Sequence, residues 1–128
     1  MKATIQSIID TVRNTMSAGD FDGVQIIKWI AEAEAKIVDE IISRYEDFRE
    51  EDININYTAN TDRGTELLAP VPYSRIYEYY VKAQINYARD ELERYQNDLA
   101  QYMGAMEDFW IYYNQRHKPK SVRFEVRL

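Results

Sequence analysis

Residues 74–116 read SRIYEYYVKAQINYARDELERYQNDLAQYMGAMEDFWIYYNQR, and this stretch decides the fold. It holds no proline, and its only glycine is Gly104. Val81, Ile85, Ala88, Leu92, Tyr95, Leu99, Tyr102, Met106, Phe109 and Tyr113 recur at alternating spacings of four and three. That is the heptad seam of packed helices. A single unbroken helix here would be about 60 Å long at the α-helical rise per residue, awkward in a chain of 128 residues. The favoured reading is an antiparallel pair that breaks near Gln96-Asn97-Asp98, with Asn97 or Asp98 capping the second member. The unbroken helix is the alternative. Either way the class is all-α, a helical bundle of three to four helices.

Working outward, Ile5, Ile8, Ile9, Val12 and Met16 stand at helical spacing behind Thr4, a side chain suited to an N-cap. They predict a first helix over 4–16 that stops at Ser17-Ala18-Gly19-Asp20. Asp22 can cap a second helix, with Gln25 at the reciprocal position and Phe21 placed to staple onto Ile26. Its apolar stripe, from Ile26 through Ile30 and Ile37 to Tyr45, is wide enough to face several neighbours, so helix 22–46 is expected at the centre. The acids Glu46, Asp47, Glu50, Glu51 and Asp52 then fray it.

A long extended loop, about 51–70, follows, and loops of that length usually carry structure or function of their own. Within it Ile53, Ile55, Tyr57 and Ala59 alternate with polar residues, the period of a half-buried strand. The C-terminus repeats the pattern: Val122, Phe124, Val126 and Leu128 alternate with Arg123, Glu125 and Arg127. Segment 53–59 is the only mate for that strand-like tail that the sequence offers. The two are expected to pair with each other or with a neighbouring subunit. The chain thus divides into a helical domain, 1–118, and a basic extended tail, 119–128.

Composition narrows the function. Apolar residues make up 45% of the chain, enough for a core, and cysteine is absent, which excludes disulfides, thiolate metal sites and a cysteine nucleophile. Aliphatic runs are too short to span a bilayer, and the first residues lack a secretion-signal core, so no membrane partner and a cytoplasmic site of synthesis are expected. The net charge of −6 divides unevenly. Residues 116–128 carry five basic groups and one acid, a net of +4, which leaves a net of −10 on 1–115. An acidic body repels phosphates, while a basic tail seeks an acidic surface.

No catalytic constellation emerges, and no metal or cofactor is implied. His117, the single histidine, stands between Arg116 and Lys118 and reads as a partner for a helix C-terminal dipole. The acidic clusters Glu32/Glu34, Asp39/Glu40 and Asp90/Glu91/Glu93 read as solvated helix faces. The glycines form no phosphate-cradling array. Eleven tyrosines are an excess. Tyr80, Tyr87, Tyr95, Tyr102 and Tyr113 fit the core or its boundary, with Trp29 and Trp110 as core anchors. Tyr73, Tyr77, Tyr79 and Tyr112 are the candidates for a protein interface, joined by Ile53, Ile55 and Tyr57 of the loop and by Lys118, Lys120, Arg123, Phe124 and Arg127 of the tail.

Two motifs flank the long helical region. The lead-in is Leu67-Leu68-Ala69-Pro70-Val71-Pro72-Tyr73-Ser74-Arg75-Ile76-Tyr77-Glu78-Tyr79-Tyr80, in which Pro72 suits a first helical turn. The close is Tyr112-Tyr113-Asn114-Gln115-Arg116-His117-Lys118-Pro119. Together with a short isoleucine-rich first helix and Trp29 near the start of the second, they resemble the head–tail connector (adaptor) proteins of tailed bacteriophages and prophages. The resemblance implies a non-enzymatic virion protein, assembled in the host cytoplasm as a homo-oligomeric ring at the head–tail junction. It would lie beneath the portal protein, offer a platform to a stopper or tail-completion protein, and pass DNA through its channel without specific binding. The alternative from another class is a helical scaffolding or regulatory protein that binds a partner through its heptad seam.

Overall fold

A computed structural model describes residues 1–17 and 19–120. Among them the chain forms an all-α bundle of four helices: α1 (Ile5–Thr15), α2 (Gly23–Glu40), α3 (Arg75–Ala88) and α4 (Leu92–Arg116). Short 3-10 turns at Ile42–Arg44 and Glu50–Asp52 follow α2. α1 starts as expected. The Thr4 hydroxyl accepts from the Ser7 amide, and the Ser7 hydroxyl closes the reciprocal bond on the cap. At α2 the Asp22 carboxylate accepts from the Gln25 amide at 2.8 Å. Phe21 stands against Trp29, with ring centroids 5.4 Å apart.

α2 is the central helix. It packs on α1 and α3, and Ile26, Ile27, Ile30, Ala33 and Ile37 are fully buried. It ends at Glu40, earlier than residue 46, because the backbone tightens into the 3-10 turn beyond Ile41. Pro72 also departs from expectation. α3 starts only at Arg75, and Pro72 lies in the turn before it, behind a cis Val71–Pro72 bond.

The seam breaks into an antiparallel pair, but at Arg89-Asp90-Glu91 rather than at Gln96-Asn97-Asp98. Asp90 takes the left-handed conformation, φ 60°. Its amide donates to the Tyr87 carbonyl (3.1 Å) and the Glu91 amide to the Asn86 carbonyl (2.9 Å). This is the Schellman pattern with aspartate where glycine usually stands, one of the few side chains that tolerates that conformation. The expected capping residue Asp98 lies inside α4, where its carboxylate accepts from the Asn86 side chain at 2.6 Å. Arg89 ties this hinge to the α1–α2 turn: it bonds the Asp20 carboxylate at 2.5 Å and the Ser17 carbonyl. That contact holds the Asp20 carboxyl below its usual range.

The loop before α3 is pinned to the N-terminus. Leu67 donates to the Ala3 carbonyl (2.8 Å), Gln6 to Arg63 (2.8 Å) and Val71 to Met1 (3.0 Å), with an antiparallel bridge between Thr4 and Glu66. Replacing either Ile30 or Ile37 by alanine should lower stability by about 2–5 kcal/mol, because both side chains are wholly enclosed and their sites cannot collapse freely. Urea unfolding of the two variants checks this, and a loss near zero at both would contradict the central placement of α2.

Candidate functional site

The surface that carries the interface candidates is built around a buried acid. Glu34 projects from α2 on the stripe of Ile30, Ile37 and Ile41 and has no solvent exposure. Its carboxylate accepts from the Leu68 amide (3.1 Å), the Tyr57 hydroxyl (3.2 Å) and the Tyr77 hydroxyl. The Tyr77 oxygen in turn accepts from the Ala69 amide at 2.9 Å. These bonds satisfy groups whose burial would otherwise be costly. Burial pushes the Glu34 carboxyl above its usual range, and the hydrogen bonds from Tyr77, Leu68 and Tyr57 oppose that shift. Burial and the neighbouring Glu34 charge raise both phenols, so Tyr57 and Tyr77 remain donors.

Two expectations are corrected here. Glu34 is not part of a solvated face, and Tyr77 is not an interface residue but a buried one. The signal was present in the sequence, since Glu34 occupies a stripe position between Ile30 and Ile37. The pair Glu32/Glu34 is split: Glu32, half-buried, accepts from the Tyr80 hydroxyl at 2.9 Å.

Held by this hub, segment 53–57 lies beside α2 without forming a strand, the Tyr57 amide donating to the Ile55 carbonyl at 2.7 Å, and shares a depression with Lys28 and Glu32. Ile53, Ile55 and Tyr57 are half-buried while Asn54 and Asn56 face solvent, so the alternation is real. Among the described residues no bridge involves 53–59, and Ala59 is exposed. The expected partner segment, 122–128, lies outside the described residues, as do Arg123, Phe124 and Arg127. What precedes them pairs elsewhere: Glu46 donates to the Lys118 carbonyl and Lys120 to the Arg44 carbonyl, both at 2.9 Å, around an antiparallel Tyr45–Pro119 bridge. The mate of the chain at 118–120 is therefore 44–46.

The lead-in and the close meet. Tyr73 and Tyr112 have ring centroids 4.5 Å apart, and Tyr73 also contacts Phe109 at 5.9 Å. Arg116 lies over the Tyr112 ring at 4.0 Å. His117 caps α4, stacks on Tyr113 at 3.7 Å and places Nδ1 2.6 Å from the Asp47 carboxylate. The helix-terminal position was legible in the sequence, whereas the Asp47 partner was not. Beside these rings opens a cleft of about 350 Å³ in which Ile53 and Pro70 join Tyr112, Tyr113 and His117. Lys118 reaches Glu46 at 3.8 Å, and the Lys120 ammonium lies over Phe48 at 5.5 Å. Tyr79 is half-buried with Lys82 over its ring and does not line this cleft.

Two assigned core residues are exposed instead: Trp110 at 46% and Tyr87 at 62%. Among the described residues no group of three or more His, Cys, Asp or Glu side chains is placed to hold a metal ion, and no helix is long and apolar enough to cross a membrane. Comparison with protein-family models, curated proteins and solved structures found no match to this chain.

The hub makes a testable demand. Glu34→Ala strands the Leu68 amide and the Tyr77 hydroxyl, and each stranded donor should cost about 1–3 kcal/mol. The pH dependence has a defined sign. A carboxyl raised in the folded state contributes stability that is full below its unfolded pKa and is lost as pH rises through the folded pKa. Denaturant melts from the ordinary carboxylate range upward should therefore show wild type losing ground to Glu34→Gln as pH rises. Parallel curves would contradict the burial of a titrating acid.

Proposed function

We propose that the chain is a structural head–tail connector of a tailed bacteriophage or prophage. Several copies form a ring beneath the portal, extend the DNA channel and present a platform to the stopper or tail-completion protein. One observation carries the reading. The two motifs behind the resemblance, the Pro70–Tyr73 lead-in and the Tyr112–Pro119 close, are far apart in sequence and stand side by side on the surface. A partner would meet them as a single patch. It is aromatic and amphipathic, the composition of a protein interface core rather than of an active site.

Two further features support it. Segment 53–57 takes part in no bridge among the described residues, which leaves backbone groups for a neighbouring subunit to pair with. The acidic body, a net −10 over residues 1–115, lets DNA pass without being held. The seam-binding regulator is the weaker reading. Val81, Ile85, Tyr102 and Phe109 of the seam are buried within the chain and are not free for a partner.

The test mixes the purified chain with the portal protein of the same phage and images the product by electron microscopy. A ring on the portal is expected, and Tyr112→Ala, checked for retained helicity, should weaken association about tenfold or more, as for an interface anchor. Failure to join the portal, with a stable dimer under all conditions, would overturn the proposal.

A further inference from the structure

The C-terminal end of α2 and the middle of α4 enclose a groove of about 370 Å³ that the connector reading does not use. Tyr102, Met103, Met106 and Trp110 wall it, and Glu40 and Glu107 line it with negative charge. Met103 is 63% exposed, a costly display of apolar area unless something covers it. Neither acid forms an ion pair among the described residues. The Tyr102 hydroxyl is buried and has no hydrogen-bond partner there either. Burial first, then the charge of Glu40, pushes it up to about 12, so it is a donor that lacks an acceptor. The groove therefore fits an occupant that is apolar, cationic and supplied with a free carbonyl.

The chain carries such an element in the lead-in to α3. Pro70 and Tyr73 turn toward the aromatic cleft, while Val71, Pro72 and Arg75 are exposed, Val71 at 45%. Arg75 forms no ion pair among the described residues, although Asp108 lies on the same flank. The Val71 amide donates to the Met1 carbonyl at 3.0 Å, which brings the backbone of Lys2, a second exposed cation, beside it. Two prolines and that bond hold the projection in one shape, so docking it costs little ordering entropy. The projection and the groove lie on opposite flanks of α4. Pro72 and Arg75 share a depression with Ala105 and Asp108, whereas Met103, Met106, Glu107 and Trp110 face the groove. At about 100° per residue the two sets are centred about 180° apart around the helix. The projection of one chain cannot reach its own groove, so the occupant is a second copy.

We propose that the Val71–Arg75 projection of one copy seats in the α2–α4 groove of the next. Val71 and Pro72 lie against Met103 and Trp110, Arg75 faces Glu40 and Glu107, and a backbone carbonyl of the projection accepts from Tyr102. Methionine, tryptophan and arginine are the residues that interface cores favour. Because it joins opposite flanks, the contact is heterologous. Each copy offers both halves, so the contact repeats head to tail and either closes into a ring or runs on as a filament, according to its rotation. The contact itself stands apart from the portal, whereas its closure into a ring rests on the connector reading.

The absence of cysteine makes a clean test possible. Val71→Cys and Met103→Cys are introduced together in the full chain, checked for retained helicity, and oxidised with copper phenanthroline alone and with the portal protein. Non-reducing electrophoresis should show a ladder of dimer, trimer and higher species that neither single variant gives. Adding Glu107→Arg should slow the ladder about tenfold at low salt, and Arg75→Glu in the same chain should restore most of the rate, because every contact then carries the reversed pair. A Met103→Cys homodimer as the main product would overturn the proposal in favour of groove meeting groove. An intramolecular disulfide at monomer mass would overturn the separation of the two surfaces. No ladder in either sample, under conditions that oxidise a free dithiol, would overturn the contact and leave the groove to a foreign partner. The two proposals fail separately. A chain that joins the portal as a ring without a ladder overturns this contact alone, whereas a ladder from a chain that never joins the portal overturns the connector reading alone.

Discussion

A single buried carboxylate organises the molecule. Placing Glu34 in the middle of the α2 stripe is unfavourable in isolation, because desolvation penalises a charge wherever its partners are missing. The partners come from three places that are distant in sequence: Tyr57 in the extended segment, Leu68 in the loop before α3, and Tyr77 in α3 itself. A loop whose length would otherwise cost conformational entropy is thereby held at both ends against the central helix. The N-terminal backbone completes the clamp through Ala3 and Met1. The aromatic cleft follows from this arrangement, since Pro70 and Tyr73 lie just beyond the residues that Glu34 secures.

A buried polar hub of this kind favours one arrangement over alternatives more than it adds to net stability. Replacing an apolar stripe residue by glutamate gains little energy against a well-packed hydrophobe. It does penalise every packing in which the loop fails to deliver its donors, and that penalty selects a single loop conformation. The aromatic cleft is thus tied to the interior by hydrogen bonds with strict geometry rather than by packing alone.

Periodicity made much of this legible beforehand. The starts of α1 and α2 followed from Thr4 and Asp22, the centrality of α2 from its isoleucines, and the in–out alternation of 53–57 from its pattern. The rest depends on tertiary context. The charge of Glu34 suggests a solvated face, but its place on the stripe and its three donors bury it. The asparagine–aspartate pair at 97–98 suggests a helix break, but the break falls where a lone aspartate can close a Schellman turn and Arg89 can reach Asp20. The mate of residues 118–120 proved to be a backbone stretch with no strand pattern at all, since two or three ladder bonds need no alternation to form. Residue type alone suggests a core position for Trp110, but it stands one step beyond the buried Phe109 on the helix, which turns it outward.

The hinge at Asp90 has a consequence for how such a chain can vary. α3 and α4 are joined through a turn in which every backbone donor is already committed, with no slack to absorb a change in length. One inserted residue at this point would rotate α4 by about 100° about its own axis. Tyr102 and Phe109 would swing out of the core, and Gln101 and Asp108 would turn into their places, which mismatches both faces at once. The solvent-facing turn at Asn60–Thr61 carries no such phase relation. Natural length variation, and any engineered insertion of a label or epitope, should be tolerated there and excluded from the hinge, although both sites are short and both lie at the surface.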